Sequence, residues 1–143
     1  YTQERVGKNR VPFQIRKFRT MRTDAESNGA QWATKNDGRV TRVGNFLRRS
    51  HLDELPQMLN VLRGELSLVG PRPERPMFVE ELEREVPHYH VRHFVKPGFT
   101  GWAQIKFRYA RSVTDSRRKF EYDLYYIKNR SLILDFLLDR KVD

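Results

Sequence analysis

Val11, Phe13 and Ile15 alternate with polar neighbours behind a turn-forming Gly7-Lys8-Asn9, so the first eighteen residues predict a short β-hairpin. Residues 23–42, TDAESNGAQWATKNDGRVTR, are polar and rich in Gly, Asn and Asp, which predicts a surface loop of the kind that covers sites. From Ser50 onward, Leu52, Leu55, Leu59 and Leu62 recur at intervals of three and four, a helical stripe that stops near Gly64. Pro56 leaves two readings open: a helix capped by Ser50 and kinked at Pro56, or a helix that begins at Pro56. Both set the neighbouring acids Asp53 and Glu54 near a helix N-terminus.

The segment GPRPERP, residues 70–76, stiffens the backbone and forbids a helix, so Arg72 is displayed on a rigid loop. Residues 77–86 predict an amphipathic helix with Phe78, Val79, Leu82 and Val86 on one face, closed by Pro87. Pro97-Gly98 predicts a turn, and Trp102 to Phe107 a short strand. A final clear helix, with Thr114 as its cap, places Phe120, Leu124 and Ile127 on one face, with Tyr122, Tyr125 and Tyr126 spread around it. An apolar stretch with a basic flank, SLILDFLLDRKVD, closes the chain. Together these elements predict an α+β chain of one small domain, mostly helical with a short N-terminal β-hairpin.

Charge narrows the range of partners. The 143 residues include 28 Lys and Arg against 18 Asp and Glu, a formal charge of +10 with a pI of about 10.2, so an anionic partner is expected. Nucleic acid, an anionic membrane surface and a phosphorylated small molecule all satisfy that expectation. The absence of cysteine rules out disulfides, thiolate metal sites and a cysteine nucleophile. No apolar run approaches the roughly 20 residues that span a bilayer, and no signal-peptide pattern is present. The chain starts at Tyr1 within a strand pattern, so an upstream segment is expected.

Asp53 and Glu54 stand beside Arg48, Arg49 and His51. Adjacent helical residues point in different directions, so the two acids cannot share one line but can bracket one ligand. That suits divided roles: one carboxylate attacks or takes a proton, and the other holds a hard cation such as Mg²⁺. Nearby arginines and a helix N-terminus would favour the ionised form of both. The simpler reading is structural, because Ser50-x-x-Asp53 has the form of a capping box and first-turn acids commonly complement the helix dipole. Arg16, Lys17, Arg19, Arg22, Arg48, Arg49 and Arg72 supply the donors a diphosphate needs, although charge runs are more often solvated faces. HYHVRH, residues 88–93, invites a metal reading that the lack of interleaved acids or cysteines disfavours. His51 either orients an acid or is a partly exposed helix residue. Trp102 and the tyrosines of EYDLYYIKN read as core or membrane-interface anchors.

Four stretches, KFRTMR (17–22), TRVGNFLRRSHLDELPQMLNVLRGELSLVGPRPE (41–74), KPGFTGWAQI (96–105) and EYDLYYIKN (121–129), closely resemble the bacterial sugar transferase family. These are the monotopic polyprenyl-phosphate phosphoglycosyl transferases that begin capsule, exopolysaccharide or glycan assembly. The resemblance implies transfer of a sugar phosphate from a UDP-sugar to undecaprenyl phosphate at the cytoplasmic face of the bacterial cell membrane, with Mg²⁺ as cofactor. It implies Asp53 as the nucleophile that forms an aspartyl phosphosugar and releases UMP, and Glu54 as the Mg²⁺ ligand. Lys17, Arg48 and Arg72 match positions around the phosphates, with Arg49 and Asp123 as weaker matches.

Glucose or galactose is preferred to amino sugars, and nucleic acid is not expected as a partner. The family's N-terminal membrane-inserted hairpin has no counterpart in these residues. Residues 1–143 are therefore expected to be the catalytic domain, weakly active or inactive alone on polyprenyl phosphate. Two alternatives stay open on the residues themselves: a non-catalytic basic module that binds nucleic acid or anionic lipid, and metal-dependent hydrolysis of a phosphoester by the same acids.

Overall fold

Strands β1 (Thr2–Val6) and β2 (Pro12–Arg16) pair antiparallel, with Thr2 opposite Arg16 and Val6 opposite Pro12. The expected hairpin forms because the alternation of β2 turns Phe13 and Ile15 inward onto Leu66 and Val61, while Pro12 and Gln14 stay exposed. The computed structural model describes residues 1–27, 29, 31, 34, 37–107 and 113–139. Part of the 23–42 loop and the basic flank at 140–143 lie outside the described residues.

An antiparallel bridge between Met21 and Val40 closes that loop, and α1 (Arg42–Arg49) follows it. Thr41 caps α1, its Oγ1 accepting from the Gly44 N–H at 2.9 Å. The region after α1 corrects the expected leucine helix. Ser50 ends α1 instead of starting a helix, and its hydroxyl donates to the carbonyls of Phe46 and Leu47 at 3.0 and 3.2 Å. His51 then turns left-handed, with φ 55°. A 3₁₀ helix spans Leu52–Gln57 with Pro56 inside it, and α2 (Met58–Leu62) begins beyond the proline. There is thus no capping box at Ser50, although both acids do lie in a first helical turn.

The leucines of this segment do not face the core: Leu52, Leu55, Leu59 and Leu62 are all exposed. The buried face is the polar one, made of Asp53, Gln57 and Asn60, spaced by four and three.

Strands β3 (Ser67–Val69) and β4 (Gly98–Thr100) pair in parallel, Ser67 with Gly98 and Val69 with Thr100. A Cβ on Gly98 would lie 2.1 Å from the Gly70 nitrogen, so only glycine lets these backbones approach. Residues 102–107 contradict the strand expected there: Trp102–Lys106 form a short helix, α4. Trp102 and Ile105, three apart, both pack against the Val69, Tyr126 and Leu138 cluster, which is helical and not strand spacing.

Helix α3 (Pro76–Glu85) starts at the last proline of the rigid loop, as proline favours a first helical position. It buries Val79 and Leu82, joined by Val86, against Val6, Tyr89 and Phe120. After a 3₁₀ helix over Tyr89–Phe94 come α5 (Val113–Asn129) and α6 (Leu132–Asp139). Thr114 lies inside α5, one residue past its start, and not at a cap. Among the described residues, no helix is long and apolar enough to cross a membrane.

Candidate active site

The polar face of the 3₁₀ helix and α2 is stitched to the end of β2. Asn60 is fully buried; its Oδ1 accepts from the Arg16 N–H at 3.1 Å, and its Nδ2 donates to the Gln14 carbonyl at 2.8 Å and to Glu65 Oε2 at 2.6 Å. Farther along, the Phe18 N–H donates to the Asp53 carbonyl at 2.9 Å. These bonds set Asp53 and Glu54 beside the basic exit of β2, on the wall of a cleft of about 520 Å³.

Glu54 is the electrostatic centre. Its Oε1 accepts from Lys17 Nζ at 2.7 Å and from an Arg72 guanidinium nitrogen at 2.6 Å, from opposite sides of the chain order. Burial alone would raise the Glu54 carboxyl, but Arg72 and Lys17 outweigh it and hold the group well below the usual carboxylate range. Burial also lowers the Lys17 ammonium, with Arg72 adding to the effect, to about 8. Asp53 behaves differently from the expectation that both acids are favoured as anions. Burial, then the neighbouring Glu54 charge, push its carboxyl above the ordinary value, against the pull of Lys17 and Arg48. Two adjacent carboxyls are thus driven apart in acidity by their surroundings, the pattern that separates roles in a catalytic pair.

The site residues named from sequence separate into three groups. Lys17, Arg48, His51, Asp53, Glu54 and Arg72 all line the cleft. Arg48 reaches it from the last turn of α1, anchored by its Nε to Thr20 Oγ1 at 2.9 Å. Arg49 is exposed and does not line it. Asp123 is buried in α5 and also does not line it; its Oδ2 pairs with Arg92 at 3.0 Å.

Sequence reading passed over Arg5, Arg75 and Thr20, which belong to the same cleft. Tyr1, just before β1, and Gln3 and Arg5 within it line the cleft at every second position, a period-two signal legible in the sequence but masked by the hairpin's apolar face on β2. Arg75 closes toward the 23–42 loop through a two-bond pair with Glu26, at 2.8 and 3.2 Å.

Two carboxylates and several cations are what a magnesium–diphosphate substrate requires, since Mg²⁺ is commonly held by one or two carboxylates together with substrate phosphates. Among the described residues both bonds to Glu54 fall on Oε1, so Glu54 would have Oε2 to offer such an ion, and the donor set fits it. Among the described residues, no group of three His, Cys, Asp or Glu forms an all-protein cage. Of the histidine trio, His93 is buried, and burial followed by the Arg92 charge lowers it to about 4.

The bacterial sugar transferase family model matches residues 1–139. The chain belongs to this family. Its relatives include the UDP-N-acetylgalactosamine-undecaprenyl-phosphate N-acetylgalactosaminephosphotransferase of Aeromonas hydrophila, 52% identical over 138 residues, 96% of this chain and 33% of that protein. The UDP-glucose:undecaprenyl-phosphate glucose-1-phosphate transferase of Xanthomonas campestris pv. campestris is 48% identical over 138 residues, 94% of this chain and 28% of its own length. The Escherichia coli K12 protein of the same name is 45% identical over 139 residues, 94% and 30%. This bacterial sugar transferase chain therefore spans about a third of each of these relatives.

Proposed function

We propose that the protein carrying this chain transfers a sugar 1-phosphate from a UDP-sugar to undecaprenyl phosphate, through a covalent intermediate on Asp53. The observation that carries the reading is the convergence of Lys17 and Arg72 on Glu54, directly beside Asp53, in one basic cleft. The relatives' names support the reaction class.

In this reading an Asp53 carboxylate oxygen attacks the sugar-bearing phosphorus, the bond from that phosphorus to the UMP oxygen breaks, and UMP leaves. An oxygen of undecaprenyl phosphate then attacks the same phosphorus, and Asp53 departs as carboxylate. Every participant is anionic, so the barrier is dominated by charge, and positioned cations contribute most of its lowering. Arg72 and Lys17 would hold the phosphoryl oxygens while screening Glu54 from Asp53, and Arg48 would bracket the opposite side. Glu54 would hold Mg²⁺, which supplies further charge neutralisation at the diphosphate.

Exposed apolar side chains run along α1, the 3₁₀ helix and α2, including Val43, Phe46, Leu55, Leu59 and Leu62. That row supports work at the cytoplasmic face of the cell membrane, where a lipid phosphate can enter.

The test is to incubate the full-length protein in membranes with Mg²⁺ and UDP-glucose, UDP-galactose or UDP-N-acetylgalactosamine, and to locate the modified residue by mass spectrometry. A sugar-phosphate adduct on Asp53 with UMP release is expected. Wild-type turnover in Asp53→Asn would refute the nucleophile. Free sugar phosphate made without lipid would favour hydrolysis, and binding indifferent to Asp53 and Mg²⁺ would favour a basic module.

A further inference from the structure

The loop that displays Arg72 has an unusual backbone. Residues 71–74 include two prolines, which offer no N–H, yet each of the four carbonyls is an acceptor. The Gly98 N–H donates to Pro71 at 2.9 Å and the Val6 N–H to Glu74 at 3.0 Å. The two inner carbonyls are taken by side chains: Arg5 reaches Pro73 at 3.3 Å, and Arg92 reaches Arg72 at 2.7 Å. A segment with fixed φ at its prolines and an anchored carbonyl at every residue has little freedom left, and the Arg72 side chain inherits that order.

Arg92 stands out among these anchors because it is itself buried and fully committed. It lies in the 3₁₀ helix after α3, its side chain 5% exposed, and pairs with the 6% exposed Asp123 side chain of α5 at 3.0 Å. Its other terminal nitrogen donates to the Tyr89 hydroxyl. One rigid guanidinium therefore ties the Arg72 carbonyl to α5 and to the Tyr89–Phe120 core, which a lysine's single nitrogen cannot reproduce. Burying such a pair is costly, and an apolar pair of similar volume would often serve stability as well or better.

We propose that Arg92, held by Asp123, is a positioning residue that sets the Arg72 guanidinium against Glu54 and the substrate phosphates. The proposal rests on the transferase reading above and extends it to two residues outside the cleft. Arg92 acts on substrate only through Arg72.

The test is a double-mutant cycle in the full-length protein in membranes, with UDP binding measured beside sugar-phosphate transfer. Arg92→Lys, which retains a cation opposite Asp123, and Arg92→Gln should each lower transfer about 10- to 100-fold and weaken UDP binding. In an Arg72→Ala background the same changes should add less than about twofold, because the residue through which they act is gone. Asp123→Asn should follow the same non-additive pattern.

Losses that multiply in the Arg72→Ala background would overturn the proposal. So would wild-type kinetics per folded molecule in both Arg92 variants. Loss of the folded state in both would make the pair purely structural and likewise overturn it. If the wild-type protein transferred no sugar phosphate, the transferase reading itself would fail, and the UDP-binding cycle would still decide whether Arg92 acts through Arg72.

Discussion

Gly44→Ala tests how the site is assembled. Gly44 sits in the first turn of α1, where alanine would ordinarily help by about 1 kcal/mol through helix propensity. At this position the new Cβ would lie 1.9 Å from the Thr20 carbonyl oxygen and 2.6 and 2.7 Å from its C and Cα. All three are backbone atoms, so no side chain can swing away, and α1 must retreat until the 1.9 Å contact exceeds 3.0 Å.

Retreat would break two bonds to the same oxygen, from the Thr41 N–H at 3.0 Å and from Thr41 Oγ1 at 3.3 Å. Overpacking costs about 1–3 kcal/mol and the two bonds about 1 kcal/mol each. Set against the propensity gain of about 1 kcal/mol, the net destabilisation is about 2–4 kcal/mol. For a chain of this size that corresponds to a melting temperature lower by about 5–15 °C. The Arg48 to Thr20 bond of 2.9 Å would be lost with it, so transfer should fall more than the folded fraction does. Thermal denaturation of the purified protein, with exposed Asn45→Ala as the control, measures the first effect, and turnover per folded molecule the second. A Gly44→Ala protein that melts at or above the wild type would refute the close contact and, with it, the placement of Arg48 by this junction.

The other predictions are briefer. The pH profile of kcat/KM should be bell-shaped: Asp53 must lose its proton, and burial displaces that acidic limb above the usual carboxylate range, while Lys17 must keep its proton, so activity falls as pH rises through about 8. A profile flat up to pH 10, or a basic limb unmoved in Lys17→Arg, would count against Lys17. Asn60→Leu leaves the Arg16 N–H and the Gln14 carbonyl without their partner, at about 1–3 kcal/mol each, and should lower both the denaturation midpoint and transfer. Wild-type stability in that variant would mean that β2 does not hold the acidic turn. Phe46→Asn and Leu62→Asn, at positions 64% and 83% exposed, should change stability by less than about 0.5 kcal/mol yet weaken sedimentation with anionic phospholipid vesicles. Unchanged vesicle binding would remove this row from the proposed membrane face.

Periodicity in a sequence states that a face exists, not what lies against it. Phe13 and Ile15 in β2, and Val79, Leu82 and Val86 along α3, were legible because their apolar positions are the buried ones. The stripe at Leu52, Leu55, Leu59 and Leu62 has equally good spacing and the opposite outcome, since Asn60 spends its hydrogen-bonding groups on β2 and turns the polar face inward. Strands β3 and β4 escaped notice for another reason: three residues each, paired across the intervening α3, they leave no local pattern.

The site divides along the same line. Lys17, Asp53, Glu54 and Arg72 were legible as residue types suited to phosphate chemistry. Arg92 was not, because its meaning comes from partners on two other elements. The acidity of the pair was the least accessible of all. Asp53 and Glu54 are sequence neighbours with the same charge, and their shifts in opposite directions arise because Lys17 and Arg72 both bond Glu54 while Asp53 has burial and the Glu54 charge to contend with. The proposed division of roles, a nucleophile kept basic beside a carboxylate kept anionic, requires that asymmetry, and only the folded chain can create it.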